Sequence, residues 1–213
     1  MYKVGKMIFY TADLHFHYEP VVDGRPFNNA AEMDEALIRN WNGTVGEDDT
    51  VYVVGDVGYN GNHVPCDALS QLKGHKHLIR GNHDVAFEDG ELLYDHFETV
   101  TDFNEIEDGS RHIILCHYPI VHNKRSYMIH GHLHQTVGIY HEVLKKLPQV
   151  LNAGVDINDY RPVTLEQLIE NNNRYFERTP EDFPEFTHRG HERTADSLPI
   201  KPDFRPIPKR PEK

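Results

Sequence analysis

Cysteine is scarce in this sequence: among 213 residues, only Cys66 and Cys116 are present. Two cysteines cannot build the disulfide framework of a small secreted domain, and so low a number is typical of a reducing compartment. Long apolar runs are also missing, since none approaches the roughly 18 residues that span a bilayer. The apolar stretch that follows Met1 is too short for a signal peptide. These absences exclude a membrane span and predict a cytoplasmic protein without a membrane partner.

Positive charge is in short supply as well. Lys and Arg total 22 against 34 Asp and Glu, so the formal net charge is −12. A surface of that average charge repels a polyanion such as duplex DNA. We therefore do not expect long nucleic acid as a partner.

Short apolar runs that end at polar clusters alternate with segments of helical spacing, which is typical of an α/β domain. Strands are predicted at residues 7–12, 51–54, 77–80, 127–129 and 150–151. Asp108 and Gly109 predict a hairpin turn between strands at 99–107 and 111–116. Helices are predicted after the capping pair Asn29 and Glu32 and at residues 65–72, 141–147 and 164–175.

Proline content changes near Arg178, because seven of the 13 prolines follow it. Such a segment forms neither regular helix nor central strand. Residues 199–213 also carry five Lys or Arg against two acidic residues. We predict one folded domain over residues 1–177 and a Pro-rich, partly basic tail over residues 178–213. The tail is expected to be solvated and extended, or to lie across the acidic body or join a neighbouring subunit in a homo-oligomer.

Histidine is abundant, with 16 residues, and it is the side chain that binds metals and moves protons near neutral pH. Five polar clusters fall at or near the ends of five predicted strands. They are Asp13-x-His15, Gly55-Asp56, Gly81-Asn82-His83-Asp84, His117 and Gly131-His132-x-His134. Strand ends share one rim of an α/β sheet, so we expect these side chains to meet there.

Seven side chains in these clusters offer nitrogen or oxygen donors. They are Asp13, His15, Asp56, Asn82, His117, His132 and His134. One metal ion cannot use seven protein donors, whereas two ions that share a carboxylate can. Paired ions of this kind clamp the attacking and leaving oxygens of phosphoryl transfer. The sequence therefore predicts a dinuclear hydrolase.

In this chain order the clusters resemble the D-x-H, G-D, G-N-H-D/E, H and G-H-x-H pattern of the calcineurin-like metallophosphoesterase superfamily. The resemblance spans Asp13 to His134 and extends to residues 152–156, which are similar to a segment of small single-domain bacterial members. It implies the family's fold, a four-layer α/β/β/α sandwich of two mixed β-sheets flanked by helices. It also implies a phosphoric ester hydrolase in which a metal-bridging hydroxide attacks phosphorus.

The resemblance implies a role for each matching residue. One metal would be held by Asp13, His15, Asp56 and His134, and the other by Asp56, Asn82, His117 and His132, with Asp56 as the bridge. His83 would assist the leaving group as a proton donor, and Asp84 would orient His83. Manganese or iron is the expected metal pair, with zinc or nickel as alternatives, because His, Asp and Asn ligands suit all four.

The role of Tyr59 stays open between a metal ligand and a loop aromatic. Gly55-Asp56-Val57-Gly58-Tyr59 fits the G-D-x-x-Y form of purple acid phosphatases, in which the tyrosine binds iron. Those enzymes lack the histidine that His15 supplies here, so that coordination position is already filled. The arginine-bearing continuation of the protein Ser/Thr phosphatases is missing, which argues against that class of substrate.

Candidate substrate contacts are the charged and histidine side chains beside the motifs: Arg25, Lys124, Arg125, His17 and His122. The predicted substrate is a phosphomonoester or phosphodiester of a small molecule or nucleotide. One alternative is a nuclease that acts on nucleic-acid ends. A second alternative is a non-catalytic scaffold of the same fold, but a scaffold has no chemical need for His83.

Overall fold

The first of two β-sheets is parallel throughout. The computed structural model describes residues 6–59, 63–121, 125–135 and 138–178. The four strands of this sheet lie in chain order and are Ile8–Thr11 (β1), Thr50–Val53 (β2), His75–Ile79 (β3) and Thr99–Thr101 (β4). An isolated antiparallel bridge joins Tyr10 to Val163. Because all four named strands are parallel, the prediction of a mixed sheet is wrong for this sheet.

The second sheet is mixed, as expected. Its strands, again in chain order, are Asn104–Asp108 (β5), Arg111–Leu115 (β6), Tyr127–His130 (β7) and Val150–Asn152 (β8). β5 and β6 are antiparallel, and the other pairs are parallel. Gly109, with φ 63°, occupies the turn of the predicted hairpin. The expected α/β architecture of two sheets flanked by helices is confirmed.

The strand predicted at residues 99–107 is in fact two strands in different sheets. The chain passes from the first sheet to the second between Thr101 and Asn104. Asp102 lies in this break, and its carboxylate accepts hydrogen bonds from the Arg80 guanidinium at 2.9 and 3.1 Å. Neither glycine nor proline marks the break, and the predicted strand runs through the two residues there that strands disfavour most, Asp102 and Asn104.

Five α-helices lie in the described part of the chain: Ala30–Thr44 (α1), Cys66–Leu69 (α2), Leu93–His96 (α3), Ile139–Leu144 (α4) and Leu165–Glu177 (α5). The Asn29 side chain caps α1 by accepting from the backbone N of Glu32 at 2.9 Å, as predicted. Thr164 and Gln167 form a capping box at the start of α5. α2 is shorter than predicted. Within the described ranges, no helix has the length and apolar character needed to cross a bilayer.

Three apolar clusters lie between or against the layers and hold them together. One joins α1 to a face of the first sheet through Phe9, Val51, Val53, Met33, Leu37 and Trp41. The next fills the space between the two sheets with Tyr10, Ala12, Val54, Ile113, Leu115 and Ile129. The third covers the second sheet with Met128, Val150 and Leu144. Helix, sheet, sheet and helix are thus stacked in this order, which is the expected four-layer arrangement.

The five polar motifs begin one or two residues beyond the carboxyl ends of β1, β2, β3, β6 and β7. β1, β2 and β3 are parallel neighbours in one sheet, and β6 and β7 are parallel neighbours in the other. Parallel neighbours end at the same edge, so the motif loops converge at one rim of the sandwich. The predicted tail beyond Arg178 lies outside the described residues.

Candidate metal centre

Five of the predicted metal-ligating residues have left-handed backbone conformations. Their φ angles are 58° for Asp13, 52° for His15, 59° for Asp56, 70° for His132 and 49° for His134. Residues other than glycine adopt this region uncommonly, and each instance costs of order 1–3 kcal/mol where the conformation is strained. Such strain persists only where the surrounding structure enforces it. Its concentration in the motif loops indicates that the turns serve to aim side chains rather than to stabilise the fold.

Hydrogen bonds between the first two motif loops hold these turns in place. The backbone N of Asp13 donates to the carbonyl of Gly55 at 2.9 Å, and the N of His15 donates to the carbonyl of Asp56 at 3.0 Å. Gly55 has a φ of 92°, and a Cβ there would overlap the His117 ring. A Cβ at Gly81 would overlap the Asp56 carboxylate. Both glycines are therefore required for the close approach of the loops.

The first donor triad consists of Asp13, His15 and His134, whose donor atoms all lie within 4.8 Å of one another. The Nε2 atoms of the two histidines face each other at 3.3 Å. Burial lowers the pKa of His15 to about 3, so its ring is neutral and offers a lone pair. Asp13 Oδ1 accepts a hydrogen bond from the N of His132 at 2.9 Å, but Oδ2 is buried without a partner among the described residues. A divalent cation would supply that missing partner.

The second triad consists of Asp56, His117 and His132, again with donor atoms within 4.8 Å. Asn82 Oδ1 joins it, 3.1 Å from His117 Nε2 and 2.9 Å from His132 Nδ1. Asp56 Oδ2 lies 3.3 Å from His117 Nε2 and 3.8 Å from His15 Nε2, so this oxygen borders both triads. Burial opposes ionisation of Asp56, but the hydrogen bond and charge of His117 outweigh it and lower the pKa of Asp56 to about 2.

Carbonyl oxygens orient two of the histidine rings. His15 Nδ1 lies 3.0 Å from the carbonyl of Gly58, and His117 Nδ1 lies 2.9 Å from the carbonyl of Val54. A carbonyl can only accept, so in a neutral ring Nδ1 carries the proton and Nε2 keeps its lone pair. In both rings Nε2 is the atom that faces the triads. This is the arrangement expected around metal-ligating histidines.

Arg25 and Asp156 form a buried ion pair behind the first triad. Asp156 Oδ2 lies 2.8 Å from His134 Nδ1, and Asp156 Oδ1 accepts from Arg25 Nε at 2.8 Å. Arg25 also donates to the carbonyls of Asp13 and Leu14, at 2.6 and 3.0 Å. Its side chain is 0% exposed. The prediction that Arg25 contacts substrate phosphate is therefore wrong, because its donors are committed to the protein.

Sequence reasoning did not identify Asp156 as a functional residue, although residues 152–156 attracted notice as a segment. No local spacing marks it, because its partners Arg25 and His134 lie 131 and 22 residues away in the chain. Its pKa lies well below the usual range: although burial raises it, the charges and hydrogen bonds of Arg25 and His134 prevail. The carboxylate is thus ionised and available to fix the His134 ring.

Asp84 ties two motif loops together. Its carboxylate accepts from the backbone N of Gly81, Asp56 and Val57 at 2.7, 2.8 and 2.9 Å. The Nδ1 atom of His83 is buried and, among the described residues, has no hydrogen-bond partner. The expectation that Asp84 orients the His83 ring is therefore wrong, since its oxygens are directed at the backbone. Burial raises the pKa of Asp84 to about 6.

Tyr59 contacts His83 by stacking. The two ring centroids are 4.6 Å apart, with 28° between the ring planes. Tyr59 also stacks on Tyr18 at 3.8 Å and 5°. These contacts give Tyr59 a packing role beside the proposed proton donor. The alternative that its hydroxyl binds a metal stays a prediction.

The remaining candidate substrate contacts have different outcomes. His17 Nδ1 lies 2.7 Å from Asp34 Oδ2 and its Nε2 lies 2.8 Å from Asp67 Oδ1, which leaves neither nitrogen for a phosphate oxygen. The contact of His17 with substrate therefore stays a prediction, and it would require one of these two ion pairs to open. Arg125 is exposed, and its contact with substrate stays a prediction. His122 and Lys124 lie outside the described residues.

Comparison with known proteins identifies the family. The calcineurin-like phosphoesterase model matches residues 7–193. The chain therefore belongs to the calcineurin-like phosphoesterases, and it is a metal-dependent phosphoric ester hydrolase with two candidate metal sites.

Two curated proteins and one solved structure are similar to this chain. The chain is 29% identical over 172 residues to Uncharacterized protein MJ1445 of Methanocaldococcus jannaschii, covering 78% of this chain and 90% of that protein. It is 27% identical over 159 residues to the Gene 66 protein of Mycobacterium phage D29, covering 61% and 79%. The solved structure of the protein of unknown function AQ665 from Aquifex aeolicus matches with a TM-score of 0.62 and 24% identity, covering 78% of this chain and 99% of that one. This likeness supports the fold.

Proposed function

We propose that the protein hydrolyses a phosphomonoester or phosphodiester of a small molecule or nucleotide at a centre of two divalent ions. One observation carries this proposal: Asp56 Oδ2 lies 3.3 Å from His117 Nε2 in its own triad and 3.8 Å from His15 Nε2 in the other. A carboxylate in that position can serve both ions at once. Manganese or iron is the proposed metal, with zinc or nickel as alternatives.

The donor set fits two such ions. Asp13, His15, Asp56 and His134 would hold one, and Asp56, Asn82, His117 and His132 would hold the other. The buried, unpartnered Oδ2 of Asp13 supports this assignment, because a carboxylate oxygen in that state requires a cation or a proton. When bound, two divalent ions supply an acidified water and neutralise the phosphoryl oxygens.

His83 is the proposed proton donor. Its ring lies beside the first triad, with its centroid 5.3 Å from that of His15. Because Nδ1 is buried, Nε2 is the nitrogen that can reach a substrate. As the oxygen of water joins phosphorus and the bond to the leaving oxygen breaks, Nε2 of the protonated ring gives its proton to that oxygen, and the ring becomes neutral. The ring recovers a proton from solvent.

Charge favours a small substrate. The triads contain only two carboxylates, Asp13 and Asp56, so two divalent ions leave the pocket positive. The chain as a whole carries a formal charge of −12, which repels long polyanions. A compact phosphate ester can therefore enter a pocket that an extended nucleic acid approaches with difficulty. Action on exposed nucleic-acid ends is the alternative.

Release of nitrophenol tests the proposal. The protein is freed of metal with a chelator, reloaded separately with manganese, iron, zinc or nickel, and assayed on nitrophenyl phosphate and bis-nitrophenyl phosphate. We expect hydrolysis of at least one ester, dependent on added metal and on two ions per chain. Inactivity on every ester with both ions bound would favour the scaffold. Selective degradation of oligonucleotide ends would favour the nuclease.

A further inference from the structure

Four aromatic rings form a closed group at one side of the metal centre. The stack of Tyr18 on Tyr59 continues onto His83, at centroid distances of 3.8 and 4.6 Å. His15 completes the group, 5.3 Å from His83 and 5.9 Å from Tyr18. One member is a predicted metal ligand and another is the proposed proton donor. The two tyrosines have no assigned role in the reaction.

No hydrogen bond to a described residue fixes the His83 ring. Its backbone N donates to Asp56 Oδ1 at 2.9 Å, which places the main chain but leaves the ring torsions undetermined. Nδ1 has no partner among the described residues, and the Asp84 carboxylate is committed to three backbone N–H groups. Packing against neighbouring rings is therefore what orients the imidazole, and Tyr59 presents the face on which it stacks.

Tyr59 can act in this way because its own ring is held firmly. It stacks nearly parallel on Tyr18, and the N of Tyr18 donates to the carbonyl of His15 at 3.2 Å. The carbonyl of Gly58, next to Tyr59, accepts from His15 Nδ1 at 3.0 Å. Both tyrosines are thus tied to the loop that carries Asp13 and His15.

We propose that Tyr59 is a positioning residue that holds the His83 imidazole with Nε2 directed toward the leaving oxygen. This inference rests on the proposed function, because it concerns the proton that His83 donates. Stacking needs only a flat ring at position 59, so the phenol hydroxyl is dispensable. The same placement predicts that removal of the Tyr59 ring lowers the rate of hydrolysis most for esters whose leaving group needs a proton.

Leaving-group dependence provides the kinetic test. Tyr59→Leu removes the ring, Tyr59→Phe keeps it, and Tyr94→Leu makes the same change at a tyrosine that is 64% exposed on α3. We expect Tyr59→Leu to lower kcat about 10- to 10²-fold on an alkyl ester, a loss typical of a displaced catalytic group, with KM nearly unchanged. Nitrophenyl esters should show little loss, because nitrophenolate leaves without a proton. Tyr59→Phe should recover most of the alkyl-ester rate.

A double variant separates positioning from other effects. In a His83→Ala background, Tyr59→Leu should cause no further loss of kcat, because the ring that it positions is gone. Equal loss on both leaving groups, or losses that multiply in the double variant, would overturn the proposal. Bound metal in Tyr59→Leu should equal that of the unchanged protein. A fall in bound metal would instead make Tyr59 a ligand and also overturn the positioning role.

The NMR signal of the His83 Cε1–H group tests the contact without any assay of activity. In the zinc-loaded protein, stacking on Tyr59 should shift this signal upfield, and its absence in His83→Ala identifies it. Tyr59→Phe should keep the shift, and Tyr59→Leu should lose it. An unchanged signal in Tyr59→Leu would overturn the proposal whatever the activity. If Tyr59→Leu loses the shift but the unchanged protein hydrolyses no ester, the contact between Tyr59 and His83 is confirmed and the proposed function is refuted.

Discussion

Asp156 Oδ2 lies 2.8 Å from Nδ1 of His134, while Nε2 of the same ring faces the first donor triad. The carboxylate is buried and ionised, and Arg25 holds it through two hydrogen bonds of 2.8 and 3.2 Å. A carboxylate behind a metal-ligating histidine fixes the tautomer and raises the basicity of the ring. We therefore expect Asp156 and Arg25 to control how well His134 binds an ion.

Asp156→Asn should weaken metal binding about 10- to 100-fold, because the amide neither carries the charge nor enforces the tautomer. Competition of the metal-loaded protein with a chelator measures the affinity of each ion. We expect the weaker site to be the one that contains His134. Asp159→Asn is the matched control, since its carboxylate is exposed and pairs with Arg161 at 3.3 Å. Equal affinities in the two variants would contradict this role for Asp156.

Arg25→Met should destabilise the fold by about 3–5 kcal/mol, because it leaves the buried Asp156 carboxylate without its guanidinium partner. It also removes the donors to the carbonyls of Asp13 and Leu14. Urea unfolding, compared at the same metal concentration, measures the change. Arg161→Met at an exposed ion pair is the control and should alter stability by less than about 1 kcal/mol. A small effect of Arg25→Met would show that the pair is not structurally important.

Asp56→Asn should lower bound metal and activity together, because this side chain borders both triads. Elemental analysis of the protein and the nitrophenyl ester assay measure the two quantities on the same sample. Asp102→Asn changes a carboxylate that is 70% exposed and should leave both unchanged. Full activity in Asp56→Asn would refute the shared-ligand assignment.

His83→Ala should leave both ions in place while slowing turnover by roughly 10² to 10⁴, the usual contribution of a general acid. The loss should be largest for esters whose leaving group needs a proton. His63→Ala, at an exposed histidine paired with Asp89, serves as the control. Loss of metal from His83→Ala would show instead that His83 is a ligand.

The fold and the meeting of the candidate donor residues at one rim were predictable because their signals are local. Strands β1, β2 and β3 each end at a polar motif, and Asn29 with Glu32 marks the start of α1. Each of these signals depends on residues only a few positions apart, so it can be recognised without knowing how the rest of the chain folds. Residue order then suffices to bring the motifs to one rim.

The errors concern long-range contacts. From the sequence, Arg25 is interpreted as a loop cation free to bind phosphate. In the structure it donates to Asp156, which is 131 residues away in the chain. The left-handed conformations of Asp13 and Asp56 are not marked by glycine, the residue that signals this region most strongly. Asp84 stands next to His83 in sequence but is directed at the backbone instead. Adjacency in sequence predicted a side-chain contact that the turn geometry prevents.

Asp84→Asn distinguishes a loop tie from an orienting acid. The carboxylate accepts from three backbone N–H groups, and an amide offers only one accepting oxygen, so at least one donor loses its partner. We expect a loss of about 1–3 kcal/mol in the free energy of unfolding and weaker metal binding through Asp56. The ratio of alkyl-ester to nitrophenyl-ester rates should stay constant, because the stack on Tyr59 still holds His83. A selective loss on alkyl esters would restore the orienting role to Asp84 and weaken the case for Tyr59.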